Sequence, residues 1–188
     1  RNMRILLFTL IAFLMIAPSQ AQTKVGDVTL PNTMKVGDAS LQLNGAGIRE
    51  KMWFDLYSGG LYLTEKASNA SNIINADRPM AIKLHITSKL ITSDKMISAV
   101  NDGFDASTNG NTSAFAADIK KFTGFFSEEI VKNNVFDITY QPGVGVVAFK
   151  DGKELGTIKG MEFKKALFGI WLGKKPADDD LKENMLGL

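Results

Sequence analysis

From Met80 to Thr87 the chain alternates strictly, with Ile82, Leu84 and Ile86 on one side and Lys83, His85 and Thr87 on the other. A backbone that turns successive side chains to opposite faces is a strand, and this one is apolar on one face only. A half-buried strand cannot stand alone, so the flanking segments must supply both its pairing partners and a layer to cover its apolar face. Before it lie extended segments punctuated by glycine: Val28-Thr29-Leu30, Met34-Lys35-Val36, Leu41-Gln42-Leu43-Asn44, and stronger runs around Ile48 and Leu61. After it Thr92-Ser93-Asp94 offers capping oxygens and Met96, Ile97, Val100 and Phe104 recur at helical spacing; Phe115, Ile119, Phe122 and Phe126 repeat the pattern over residues 114–126. Strands resume over residues 135–140 and 144–149, and Asp151-Gly152, suited to a hairpin turn with positive φ at both positions, leads into a returning strand over 154–158. Residues 161–172 read as a helix with Phe163, Leu167, Ile170 and Trp171 on its apolar side, and Asp178-Asp179-Asp180 opens a short last helix. No linker or repeat divides this order, which predicts one α+β unit.

The N-terminus reads as an export leader. Arg1 and Arg4 precede an apolar run from Ile5 to Ala17 broken only by Thr9, and Ser19 and Ala21 are small residues at the spacing a signal peptidase requires. That run of 13 residues is short against the roughly 20 that span a bilayer. The expectation is a signal peptide over 1–21, a single domain over 22–188, a periplasmic or secreted location, and no stable membrane span once the leader is removed. The formal charge is +2, and without residues 1–21 there are 20 basic and 20 acidic side chains. A chain with no basic field to gather phosphates is not built for nucleic acid. With no cysteine, a disulfide framework, a thiolate metal site and a cysteine nucleophile are all excluded. Asn69-Ala70-Ser71 and Asn111-Thr112-Ser113 fit the glycosylation acceptor pattern, which is frequent by chance.

Familiar catalytic signatures are missing. One histidine cannot form a His-rich metal cluster, and the chain has no nucleophile elbow, no phosphate-cradling loop and no dinucleotide fingerprint, so neither metal nor cofactor is expected. His85 is either a general base or a strand histidine on the polar face, and no partner for it is evident from spacing. Asp178 to Asp180 lack the spacing of a calcium loop and suit a helix start. The informative stretch is Gly45-Ala46-Gly47-Ile48-Arg49, followed by Met52-Trp53-Phe54-Asp55-Leu56-Tyr57-Ser58-Gly59-Gly60-Leu61-Tyr62-Leu63. A permanent charge among glycines and aliphatics suggests an anion site: the planar fork of Arg49 can clamp a carboxylate or enolate, and a tyrosine hydroxyl on a neighbouring strand can donate to the same oxygen. An arginine at a strand end with tyrosines packing the sheet reads equally well from these residues alone.

The Gly45–Arg49 motif, the Gly60-Leu61-Tyr62-Leu63 run and the segment from Ile158 to Gly173, in that order, resemble the chalcone isomerase family over nearly the whole chain beyond the leader. The resemblance implies an open-faced β-sandwich of chalcone isomerase type, a large antiparallel sheet with a layer of helices on one face and a ligand cleft between them. It also implies that Arg49 is the family arginine, which stabilises an enolate in the ring-closing isomerases. Agreement with those enzymes then fails: Tyr57 stands where they carry a threonine, Ile91-Thr92-Ser93 where they have a tyrosine, Ala99 near their asparagine with Asn101 close by, and Lys164 near the polar residue of the last helix. Fatty-acid-binding relatives in the same superfamily pair an arginine with a tyrosine to hold a carboxylate, roles that Arg49 and Tyr57 fit. The resemblance therefore implies a non-catalytic binder of a small amphipathic acid such as a fatty acid, with Arg49, Tyr57, Thr92 and Lys164 as ligand-binding residues and the acyl chain against Phe104, Phe122, Phe126 and Phe168. An isomerase acting on an enone through Arg49, and an envelope protein using the fold only for contacts, are the alternatives.

Overall fold

The computed structural model describes residues 21–188, so the expected leader, apart from Ala21, lies outside the described residues. Strands β1 (Gln22–Val25) and β2 (Val28–Pro31) form a small antiparallel hairpin. The main sheet has seven antiparallel strands whose spatial order follows chain order: β3 (Thr33–Val36), β4 (Ala39–Lys51), β5 (Phe54–Leu63), β6 (Met80–Ile86), β7 (Val135–Gln141), β8 (Gly145–Lys150) and β9 (Lys153–Ile158). Helix α1 (Ala70–Asn75) connects β5 to β6, while α2 (Ser93–Thr108) and α3 (Ala116–Gly124) lie between β6 and β7; α4 (Met161–Leu172) and α5 (Asp179–Leu186) follow β9. The expected α+β architecture, a large antiparallel sheet with helices on one face, is borne out.

The alternation of β6 decides the layering. Ile82, Leu84 and Ile86 join Leu61, Phe136, Ile138 and the apolar sides of all five helices in one core. Ala81 turns the other way, into a smaller cluster with Val36, Leu41, Leu43 and Tyr62. The β1–β2 hairpin is tied to that second face, where the Ser58 hydroxyl donates to the Val25 carbonyl (3.0 Å) and the Tyr62 hydroxyl to that of Pro31 (2.7 Å). Lys83 pairs with Asp137 on the neighbouring strand at 2.6 Å. Helix α4 differs from the one-sided helix expected from its periodicity: nine of its twelve residues are buried, because it lies against the sheet while α1 and α2 pack on its flanks.

Two further differences have local causes. The glycine-rich segment before Arg49 is not a break between short strands but the middle of β4, a continuous strand of 13 residues. Its register shifts between Leu43 and Gly45, leaving Asn44 outside the ladder, and the side chain of Asn44 donates to the carbonyls of Ala67 and Met185 and accepts from the Ala67 amide. The glycines beyond this bulge are required by α5. A Cβ at Gly45 would stand 2.0 Å from the Asn184 carbonyl oxygen, one at Gly47 2.8 Å from the Asn184 Cβ, and one at Gly59 on β5 2.8 Å from the Met185 methyl. Helix α1 is absent from the sequence reading because six residues are too few to show a period; its N-cap is Asn69, which accepts from the Asn72 amide and had been read as part of a glycosylation triplet.

Two hairpins close with both central residues at positive φ. Asp151 and Gly152 (φ 50° and 81°) turn β8 into β9, as their chemistry predicts. Met52 and Trp53 (φ 49° and 71°) turn β4 into β5, although neither residue type favours such a turn. Side chains with a Cβ in this region cost on the order of 1 kcal/mol each.

Replacing Gly45 by alanine is expected to lift α5 from the sheet, lowering stability by about 3 kcal/mol or more because the clash is with backbone. Gly124, at the end of α3 with nothing within 4 Å of its added Cβ, is the control. Thermal unfolding of Gly124→Ala should match or exceed the parent, and equal melting of Gly45→Ala would contradict the close approach described.

Candidate functional site

Arg49 and Tyr57 are directly opposite one another in the β4–β5 ladder, on the face that carries Gly47, Gly59 and α5. The guanidinium carbon lies 5.7 Å from the centre of the Tyr57 ring. Tyr57 is 2% exposed, and its hydroxyl oxygen accepts from the indole N–H of Trp171 on α4 at 3.0 Å. Since an indole can only donate, the Tyr57 hydroxyl proton remains to be given. Burial pushes the phenol up from its ordinary value, against the opposing influence of Arg49 and of the Trp171 bond, so the group stays a neutral donor at ordinary pH. Among the described residues Arg49 has no carboxylate at ion-pairing distance, and its Nε is buried without a partner. An unsatisfied buried donor is expensive, and the Arg49 Nε is one.

Helical spacing places Trp171 on an apolar face and carries no signal of its bond to Tyr57. Asp178 behaves as a helix cap, accepting from the Leu181 amide at 2.8 Å, and it also receives the Glu50 amide at 3.2 Å, which pins the start of α5 beside the Arg49 end of β4. His85 lies on the face away from the helices and faces Asn133 at 3.4 Å.

Of the four ligand-binding residues expected from sequence, the structure brings together Arg49 and Tyr57. Thr92 is the N-cap of α2, its hydroxyl accepting from the Lys95 amide. Lys164 is fully buried and donates to the carbonyls of Ile73 (3.2 Å), Ile74 (2.7 Å) and Ala76 (2.8 Å), satisfying the C-terminal end of α1. Phe104, Phe122, Phe126 and Phe168 are core residues, each at most 2% exposed, and ring centroids 5.5 Å apart (Phe122 to Phe126) and 6.1 Å apart (Phe104 to Phe122) show the first three packed on one another. An open recess of about 650 Å³ lies between α1, α2 and α4, lined by Ala70, Ile74, Phe115, Ala166, Gly169 and Leu172 among others; neither Arg49 nor Tyr57 reaches it.

The Lys164 cap has a pH signature. Burial, opposed by Asp77 and reinforced by Lys165, pushes the ammonium down to about 8 from 10.5. Between those values the unfolded chain holds a proton at this position that the folded chain does not, so the contribution of Lys164 to stability rises with pH across that window. The stability of the parent relative to Lys164→Met, measured by urea unfolding, is expected to increase from pH 8 to pH 10.5. A difference independent of pH would contradict the buried cation.

A family model described as chalcone isomerase-like matches residues 22–187. Fatty-acid-binding protein 1 of Arabidopsis thaliana is 24% identical over 184 residues, an alignment that takes in 80% of this chain and 64% of the relative, so the chain spans less than two thirds of that protein's length. A crystal structure of an Arabidopsis thaliana fatty-acid binding protein superposes with a TM-score of 0.67 at 19% identity, over 85% of this chain and 91% of the other, and shows the same fold. The family match runs from the first residue of β1 to the C-cap of α5, and on that extent the chain belongs to the chalcone isomerase-like family.

Proposed function

We propose that this chain is a non-catalytic binder of a fatty acid or similar amphipathic carboxylate, exported to the periplasm or beyond the cell, with the head group held by Arg49 and Tyr57. The observation that carries the reading is the convergence of two unspent donors on opposite strands: the Arg49 guanidinium, with its Nε unpartnered, and the Tyr57 hydroxyl proton, left over after its oxygen accepts from Trp171. A carboxylate satisfies both at once and neutralises the Arg49 charge. The likeness to fatty-acid-binding proteins of Arabidopsis thaliana, in sequence and in fold, supports the ligand class. Export rests on Arg1, Arg4 and the apolar run that ends before Ser19 and Ala21.

The route of the acyl chain follows from what neighbours the head-group site. Because the phenylalanine core is filled, the chain leaves the head-group site beside Tyr57 along the margin of α5, with the α5–sheet glycine contacts and the Trp171 bond kept in place. Each methylene withdrawn from water contributes about 0.8 kcal/mol, so the tail dominates affinity while Arg49 selects the head group.

Competition binding with a long-chain acid and the alcohol of equal length tests this. The parent should prefer the acid, and Arg49→Ala should lose that preference by roughly 10- to 100-fold, the worth of hydrogen bonds to a charged group. Tyr57→Phe should lose less. Undiminished selectivity in Arg49→Ala would refute the site.

A further inference from the structure

The turn between β4 and β5 displays apolar side chains that the fold does not use. Trp53 is 99% exposed, Met52 76% and Phe54 56%. The β5–β6 and β6–β7 registers place the β6–α2 and α3–β7 loops at the same end of the sheet, and these carry the exposed Leu90 and Val131. Five of the seven large apolar side chains exposed among the described residues therefore gather at one end, a concentration that marks a contact surface.

We propose that this end of the sheet is a docking face for a phospholipid surface, with Met52, Trp53 and Phe54 as the inserted wedge. The wedge is the turn of a hairpin with Trp53 99% exposed, so a protein partner would need a pocket to receive it, whereas a lipid interface closes around it. Indole rings settle at such interfaces, their apolar body buried and their N–H hydrated. The charges agree with this occupant: segments 50–55, 87–92 and 127–134 hold three lysines and four carboxylates, too balanced to hold a polyanion, and insertion driven by apolar area needs no field. The backbone agrees as well. Met52 and Trp53 occupy left-handed positions where the Asn-Gly pair would sit without strain, as Asp151-Gly152 does in the other hairpin, and the side chains that replace them touch solvent instead of the core.

The face is continuous with the acid site. Moving inward from the tip, the ladder pairs Lys51 with Phe54, Glu50 with Asp55, and then Arg49 with Tyr57. A chain docked by this turn holds the Arg49 and Tyr57 donors at the lipid boundary, where a fatty acid enters or leaves. That purpose rests on the acid-binding reading above; the docking itself does not.

Flotation with phosphatidylcholine vesicles tests it, using the chain from Gln22 onward, which contains every element of the fold. The parent should float with the vesicles at low and high salt alike, with Trp53 emission shifted to the blue. Trp53→Ala should lower the floated fraction by about tenfold in partition. Met52→Asn combined with Trp53→Gly should melt higher than the parent, because it relieves the turn, and yet fail to float; this separates docking from folding. Both variants should still bind a long-chain acid free in solution. Equal flotation of parent and variants, flotation abolished by salt, or a parent that remains with buffer and self-associates through Trp53 would each overturn the docking face, while loss of acid selectivity in Arg49→Ala tests the binding site independently.

Discussion

Helix α5 lies so close to the sheet that its backbone leaves no room for a side chain at Gly45 and its side chains crowd Gly47 and Gly59. A Cβ at Gly45, Gly47 or Gly59 would come within 2.0 to 2.8 Å of atoms of Asn184 or Met185. That approach buries Leu181, Met185 and Leu186 and is fixed at both ends, by Asn44 donating to the Met185 carbonyl and by Asp178 accepting the Glu50 amide. It also determines where the strands carry larger side chains. Along the same face the first substantial pair beyond the glycines is Arg49 and Tyr57, so the close packing of α5 leaves the donors at its margin, between buried apolar side chains and the open hairpin tip.

Two cations in this fold meet burial in different ways. Lys164 is held by three main-chain carbonyls at the end of α1 and stands over the rings of Tyr140 and Phe168. Its hydrogen-bonding capacity is spent, and its function is to fasten α1 to α4. Arg49 is comparatively unspent: its Nε has no acceptor, and beside it the Tyr57 hydroxyl oxygen accepts a hydrogen bond from Trp171 and retains its own proton to donate. A buried donor without an acceptor costs free energy that a folded chain retains where an arriving group satisfies it. The difference between these two positions points to a carboxylate at Arg49 and to architecture at Lys164.

Much of the architecture was legible in the chain because its signals are local. Period-two alternation identified β6, Asp151-Gly152 identified the β8–β9 turn, and helical spacing identified α2, α3 and α4. What escaped depended on contacts distant in sequence. The glycines of β4 looked like breaks because the helix that requires them begins more than 130 residues later; Met52-Trp53 carried no turn signal because its residue types argue against the turn they form. At the site, Arg49 was conspicuous as a charge among small residues, and Tyr57 was singled out by the resemblance to relatives that pair an arginine with a tyrosine. The bond from Trp171 could not be read, since one indole donor leaves no trace in periodicity. Lys164 resembled a ligand residue because sequence position alone does not reveal three carbonyls around an ammonium.

A crystal structure of the protein with a long-chain fatty acid bound tests the central claim most directly. The account predicts the carboxylate within hydrogen-bonding distance of both the Arg49 guanidinium and the Tyr57 hydroxyl, with Trp171 still donating to Tyr57 and the acyl chain running along the margin of α5. A bound acid with its head group elsewhere, for instance in the recess between α1, α2 and α4 while Arg49 and Tyr57 stay unoccupied, would contradict it.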